Sequence, residues 1–369
     1  LNWNANRRYF SLIGLRLAMH HQWKSARISV PSSFGPGATT PLLAAIAAVS
    51  AFLFFLPCAD VWSQEKPQDV RKEPAPYPPH YDDARELVYK KVGDSELKLF
   101  VFSPSESSEQ PRAAIVFFFG GGWQRGGVGQ FVRQCRYLAS RGMVAIAADY
   151  RVASRQKAKP VDCVRDAKSA MRYVRSHAAE LGIDPDKIVA AGGSAGGHLA
   201  ACTATIDDFD DKQDDRRVSP VPNALVLFNP VVALAPLPDF ELTGIAKDLR
   251  QAKVGAPPQA LSPVHHIHSG GPPTIIFHGV ADSIAPYATV EVFARRWKQA
   301  GNRCELVGYP GQEHSFFNYK GDNRKYFLDT LTKTDEFLTS LKYLQGPPQV
   351  EQFFKNKEAA KEAAGPSED

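Results

Sequence analysis

Apolar and polar positions alternate along this chain in two different ways. Over residues 87–92 and 97–102 they alternate with a period of two, and Gly93-Asp94 lies between the runs, which predicts a β-hairpin. From residue 113 onward the pattern becomes short, continuous apolar runs at 113–119, 143–148, 188–191, 223–228, 274–277 and 305–308, as expected of strands buried on both faces. Helix-forming stretches near 130–141, 161–180, 287–300 and 323–344 separate these runs. Alternating buried strands and helices predict an α/β fold, a largely parallel sheet covered on both sides, with its chemistry gathered at the carboxyl ends of the strands.

The flanks read differently. Residues 1–63 carry Arg7, Arg8, Arg16, Lys24 and Arg27 ahead of an apolar run at 42–56, and Val61-Trp62-Ser63 has the small residues a signal peptidase reads, so export with cleavage between Ser63 and Gln64 is expected. The alternatives are a retained anchor, for which a run of 15 residues falls short of the roughly 20 that span a bilayer, and a lipid on Cys58, which Pro57 fits poorly. Translation from Met19 rather than Leu1 would shorten the basic region. The expected organisation is a targeting segment at 1–63, a proline-rich arm or linker at 64–85, one catalytic domain at 86–344 and a tail at 345–369, either a terminal helix or disordered. Between 229 and 274 the chain is rich in proline and alanine, with one helix expected at 240–252, and should overhang the pocket.

Charge adds one restriction. The chain of 369 residues has a formal net charge of +5, and the five basic residues and one acid of 1–63 hold four of those charges. The near-neutral body argues against nucleic acid as a partner. Once Cys58 leaves with the signal, Cys135, Cys163, Cys202 and Cys304 remain, and buried free thiols are the expected state over any of three disulfide pairings.

Candidate chemistry centres on Gly192-Gly193-Ser194-Ala195-Gly196-Gly197, where a short apolar strand turns sharply into a helix. This is the G-x-S-x-G pattern of a nucleophile elbow, in which glycines make room for the bend and the amide of the next residue, Ala195, can face a developing oxyanion. Another strand ends in Gly120-Gly121-Gly122-Trp123, whose amides at Gly121 and Gly122 are candidates for the second oxyanion donor. Asp282 follows the strand ending in His278-Gly279, 88 residues after Ser194, and His314 lies 32 residues further on in Gln312-Glu313-His314-Ser315. Alone, such an Asp is usually a turn residue and such a His a surface residue. In the order Ser, acid, His, each at a predicted strand end, they read as nucleophile, orienter and base.

These motifs, with Asp149-Tyr150-Arg151, resemble the α/β-hydrolase superfamily over residues 86–344. Within it they are similar to the esterase/lipase branch related to hormone-sensitive lipase, and especially to secreted bacterial esterases of the feruloyl and acetylxylan (BD-FAE-like) type. The resemblance implies Ser194 as nucleophile, His314 as general base, Asp282 as its orienter, and oxyanion donation from Ala195 with Gly121 or Gly122. It implies a small-molecule or carbohydrate ester as substrate; no cofactor, no metal and no stable membrane insertion once the signal is removed are expected. One position departs from the pattern: Phe119 stands where the family usually has a histidine before the glycines, so the loop must be braced from elsewhere, by packing alone if nothing else. Trp123 and Phe131 flank this loop and are candidate substrate-binding residues, placed to limit acyl length or stack on a sugar. An exopeptidase or amidase with the same triad, and a non-catalytic hydrolase fold used for binding, are the competing readings.

Other clusters carry less. His265, His266 and His268, with Asp239 upstream, lack a surrounding set of ligands for a metal. Asp207, Asp208, Asp210, Asp211, Asp214 and Asp215 lack the turn glycine and terminal glutamate of a calcium loop and are expected to be a solvated loop. Asp149, ending a buried strand, is expected to be structural.

Overall fold

The computed structural model describes residues 77–237, 244, 247 and 249–363. The targeting segment at 1–63, with its apolar run and Cys58, lies outside the described residues, as do Asp239 and most of the helix expected at 240–252.

The hairpin forms as β1 (Arg85–Val92) and β2 (Ser95–Phe102), and the other runs become β3 (Arg112–Phe118), β4 (Val144–Ala148), β5 (Ile183–Gly193), β6 (Ala224–Phe228), β7 (Thr274–Gly279) and β8 (Cys304–Tyr309), the last an edge strand that exposes Glu305 and only half-buries 306–308 instead of being buried on both faces. They make one sheet in the order β1-β2-β4-β3-β5-β6-β7-β8. The pairs β1–β2 and β2–β4 are antiparallel and the rest are parallel. Every residue of β4, β6 and β7 is buried, which requires cover on both faces. The helices supply it: α1 (Val132–Ser140), the short α2 (Ala153–Gln156), α3 (Pro160–Ser176), α4 (Ala195–Thr205), the short α5 (Gln251–Val254), α6 (Tyr287–Gln299), α7 (Arg324–Ser340) and α8 (Val350–Ala363). This is the α/β-hydrolase fold. Helix α4 is buried on all sides, in keeping with its alanine- and glycine-rich sequence, and so fixes the residue at its start.

Several boundaries differ from the sequence expectation. Helix α3 stops at Ser176 rather than 180, where the His177 ring bonds back to the Tyr173 carbonyl and the chain unwinds toward Gly182 at φ +66°. Leu249 and Arg250, within the helix expected at 240–252, are not helical, and α5 begins only at Gln251. The expected tail contains α8, which buries Val350 and Phe354 against the core, the latter edge-on to Phe327 at 5.2 Å. The end of the arm also belongs to the domain: Tyr77 donates to Asp149 at 2.6 Å and Tyr81 packs edge-on against Phe100.

The acidic run is the largest correction. It is not simply a solvated loop, because cations of α3 and β1 reach into it. Lys168 pairs with Asp210 at 2.6 Å and donates to the carbonyls of Ile206, Asp207 and Asp208, while Arg172 bridges Asp210 and Asp214. Lys90 joins Asp211 to the buried Asp166, at 2.7 and 2.8 Å. Burial alone would raise the Asp210 pKa, but the bonds from Lys168 and Arg172 outweigh it and hold the carboxyl below its usual range. Of the six carboxylates only Asp207, Asp208 and Asp215 are exposed.

The four cysteines of the domain are free and buried. His265, His266 and His268 each bond to separate local partners, Ser262 with the Pro236 carbonyl, the Gln259 carbonyl and the Ser269 carbonyl. Among the described residues no three potential ligands converge on a metal position, and no helix is long and apolar enough to cross a membrane.

Candidate active site

Strand β5 runs into Ser194, which holds φ 54° and ψ −117°, and α4 starts at the next residue. A non-glycine residue keeps such a conformation only when its surroundings impose it. Here the bend is so tight that a Cβ on Gly192 would stand 2.4 Å from the Gly196 carbonyl oxygen, and one on Gly196 would stand 2.0 Å from that of Phe118. The Ser194 N–H donates to the Phe228 carbonyl at 2.8 Å, tying the elbow to the end of β6.

Ser194 Oγ lies 2.8 Å from His314 Nε2, and His314 Nδ1 lies 2.7 Å from Asp282 Oδ2. With Nδ1 facing a carboxylate, the ring proton belongs there, which leaves Nε2 a lone pair to accept the serine hydroxyl. Asp282 is almost fully buried, and five donors converge on it. Oδ2 accepts from His314, from Asn229 Nδ2 at 2.9 Å and from His278 Nε2 at 3.2 Å, and Oδ1 accepts from the amides of Ile284 and Ala285 at 2.9 and 2.8 Å. Burial would raise its pKa, but the bonds from His278, His314 and the Ala285 amide hold the carboxyl far below the usual range, so it stays ionised.

The Ala195 N–H begins α4, where the first turn has no intrahelical acceptor and the helix dipole favours negative charge. Gly121 and Gly122 take φ values of +122° and +63°, and neither amide donates to an acceptor among the described residues. The loop stands close to the serine: a Cβ on Gly120 would be 3.3 Å from Ser194 Cβ. The amides of Ala195, Gly121 and Gly122 are therefore the candidate oxyanion donors beside the serine. Packing alone does not brace this loop. Phe119 stacks on Tyr150 at 4.1 Å, Tyr150 donates to the Phe119 carbonyl at 2.6 Å, and the Gly120 N–H donates to Gln130 Oε1 at 2.6 Å.

The BD-FAE family model matches residues 99–296, more than half the chain, taking in the serine and the aspartate but ending before the histidine. This chain belongs to the BD-FAE family of esterases. The sarin-phosphonylated structure of Thermogutta terrifontis esterase 2 is 50% identical, covers 73% of this chain and 99% of its own, and superposes with a TM-score of 0.71. The same esterase with butyrate bound is 50% identical over 73% of this chain and 99% of its own, with a TM-score of 0.69. A probable carboxylic ester hydrolase, LipM, of Mycobacterium tuberculosis is 32% identical over 53% of this chain and 48% of its own. The chain thus spans about half the length of that mycobacterial relative.

In this BD-FAE chain both candidate substrate-binding residues lie in the core. Trp123 and Phe131 are each 1% exposed. Trp123 meets the His198 ring edge-on at 5.2 Å, and Phe131 stacks on Phe117 at 4.8 Å and on Phe317 at 6.0 Å. Both are core residues and offer no face to a sugar. Apolar surface beside the acid comes instead from Val280 and Ile284, 45% and 44% exposed on either side of Asp282.

Sequence reading missed Asn229 and gave His278 no role. Asn229 ends β6 at φ 43°, and its amide bonds the Phe277 carbonyl of β7. An asparagine after a buried strand and before Pro230 was its one available signal. His278 is fully buried and donates from Nε2 to the Ala285 carbonyl at 2.6 Å as well as toward Asp282.

Proposed function

We propose that this protein is an exported serine hydrolase of carboxylic esters with short acyl groups. The observation that carries the reading is the continuous line from Ser194 Oγ through His314 to the ionised Asp282. Ser194 attacks the ester carbonyl as His314 Nε2 takes its proton, and Asp282 stabilises the imidazolium that results. Negative charge on the carbonyl oxygen falls to the Ala195 amide and to that of Gly121 or Gly122. The imidazolium then protonates the departing alcohol, leaving an acyl-serine, and a water deprotonated by His314 releases the acid and restores the serine.

Family membership supports the ester as the bond cleaved, and a 50% identical relative solved with butyrate bound supports a short acyl group. An acetylated carbohydrate keeps only the family likeness behind it, since Trp123 and Phe131 are core residues. Export rests on the basic residues ahead of the apolar run at 42–56, and the mature protein from its host is expected to begin near Gln64. An intact 42–56 peptide in a membrane fraction would instead indicate an anchor.

Specificity constants for the acetyl, butyryl and decanoyl esters of one phenol, for a matching anilide and for acetylated xylo-oligosaccharides test the substrate reading. The acetyl and butyryl esters are expected to lead. A decanoyl preference would overturn the short-acyl assignment, and faster anilide cleavage would make the protein an amidase.

A further inference from the structure

A hydrogen-bonded chain of side chains joins the two loops that flank Ser194. The Gly120 N–H donates to Gln130 Oε1 at 2.6 Å, Gln130 Nε2 donates to Asn318 Oδ1 at 3.0 Å, and Asn318 Nδ2 donates to the Ser315 carbonyl at 3.1 Å. Gly120 opens the loop that carries the candidate oxyanion amides of Gly121 and Gly122, and Ser315 follows His314. Gln130 and Asn318 are 188 residues apart in sequence, so no local constraint brings them together. We infer that Gln130 is a positioning residue that, through Asn318, locks the oxyanion loop to the histidine loop. The inference rests on the proposed hydrolase reading.

Two further observations fit. The position where the family usually carries a histidine is Phe119, which makes no side-chain hydrogen bond, so the polar brace comes instead from Gln130, ten residues after Gly120. By occupying the Gly120 N–H, Gln130 also removes that amide from the set that can bind an oxyanion and leaves Gly121 and Gly122 for the task. Ser315 holds φ +69°, a strained value for a serine, and accepts from both the backbone and the side-chain amide of Asn318. One side chain thus supports both loops. Ordering them together matters because an amide must already lie where charge develops, and a displacement of about 1 Å there costs rate more than substrate affinity.

The test uses the full catalytic protein and a phenyl butyrate ester. Gln130→Met preserves side-chain length but removes both bonds, and is expected to lower kcat about 10- to 100-fold with KM changed less than about threefold. Gln130→Glu keeps an acceptor for Gly120 and should recover part of kcat. Asn318→Ala should lower kcat as well, and the Gln130→Met/Asn318→Ala double variant should lose little more than Gln130→Met, because both act in one chain. Inactivity of the wild-type protein toward every ester would count against the hydrolase reading itself. An active wild type with Gln130→Met within twofold of its kcat, or with additive losses in the double variant, would overturn the positioning role. If Gln130→Met fails to fold, Gln130→Glu and Asn318→Ala decide the question by the same split between kcat and KM.

Discussion

His314 Nε2 stands 2.8 Å from Ser194 Oγ, although 120 residues separate them in the chain. The contact exists because β5 and the loop after β8 end on the same side of the sheet. With Asp282 ionised behind it, the imidazole is held in the tautomer that can accept the serine proton. Replacing Asp282 by Asn should present the wrong tautomer and lower kcat by about four powers of ten with the fold intact. Ester hydrolysis by a folded Asp282→Asn protein, assayed against the wild type, checks this, and a loss of less than tenfold would show that another acid serves His314.

The elbow makes a stability prediction. A methyl group on Gly196 would meet the backbone oxygens of Phe118 and Phe119 at 2.0 and 2.4 Å, and neither can swing aside as a side chain would. Gly196→Ala should therefore cost about 4 kcal/mol or more, a fall in Tm of roughly 10 °C. Thermal unfolding followed by circular dichroism measures it. A Tm within 2 °C of the wild type would mean that the turn is looser than described.

Much of this was legible in the sequence because the signals were local. A buried strand, a glycine bend and a helix-forming run are adjacent at Ser194, and the order of Ser194, Asp282 and His314 along the chain matches their strand ends. What was not legible depends on contacts between distant segments. Gln130 and Asn318, or Asn229 and Asp282, carry no mark of each other in sequence. Trp123 and Phe131 beside a glycine loop look the same whether they face a pocket or the core, and burial decided for the core. The run from Asp207 to Asp215 reads as solvated because its cations, Lys168 and Arg172, lie on a helix some forty residues earlier.

That ion network predicts a specific fragility. Lys168 is 1% exposed, and Lys168→Met would leave three carbonyls without their donor and Asp210 with Arg172 alone. A loss of about 3–5 kcal/mol is expected from chemical denaturation. Because cations of the protein already occupy Asp210, Asp211 and Asp214, added calcium or a chelator should leave Tm unchanged, and a rise in Tm with calcium would show that these carboxylates are free.

His198 sets part of the acid stability. Burial, which penalises the charged ring, outweighs its bond to the Leu261 carbonyl and lowers its pKa from 6.5 to about 4. Between those values the unfolded chain binds a proton that the folded protein refuses, so this contribution is present above pH 6.5 and is lost as pH falls toward 4, roughly 3 kcal/mol in all. Asp149, raised by burial to about 6, acts in the opposite sense over the same range, so the comparison must be between variants. The stability difference between wild type and His198→Gln should shift against the wild type as pH drops from 6.5 to 4. A constant difference would show that the ring protonates as readily in the fold as in the unfolded chain.

Labelling with a fluorophosphonate probe, read by peptide mass spectrometry, tests the central claim most directly, because the reagent forms a stable bond only with an activated serine. One adduct is expected, on the peptide containing Ser194, with labelling lost in Ser194→Ala and strongly slowed in His314→Ala. No adduct on the folded wild-type protein, or equal labelling of Ser194→Ala, would contradict it.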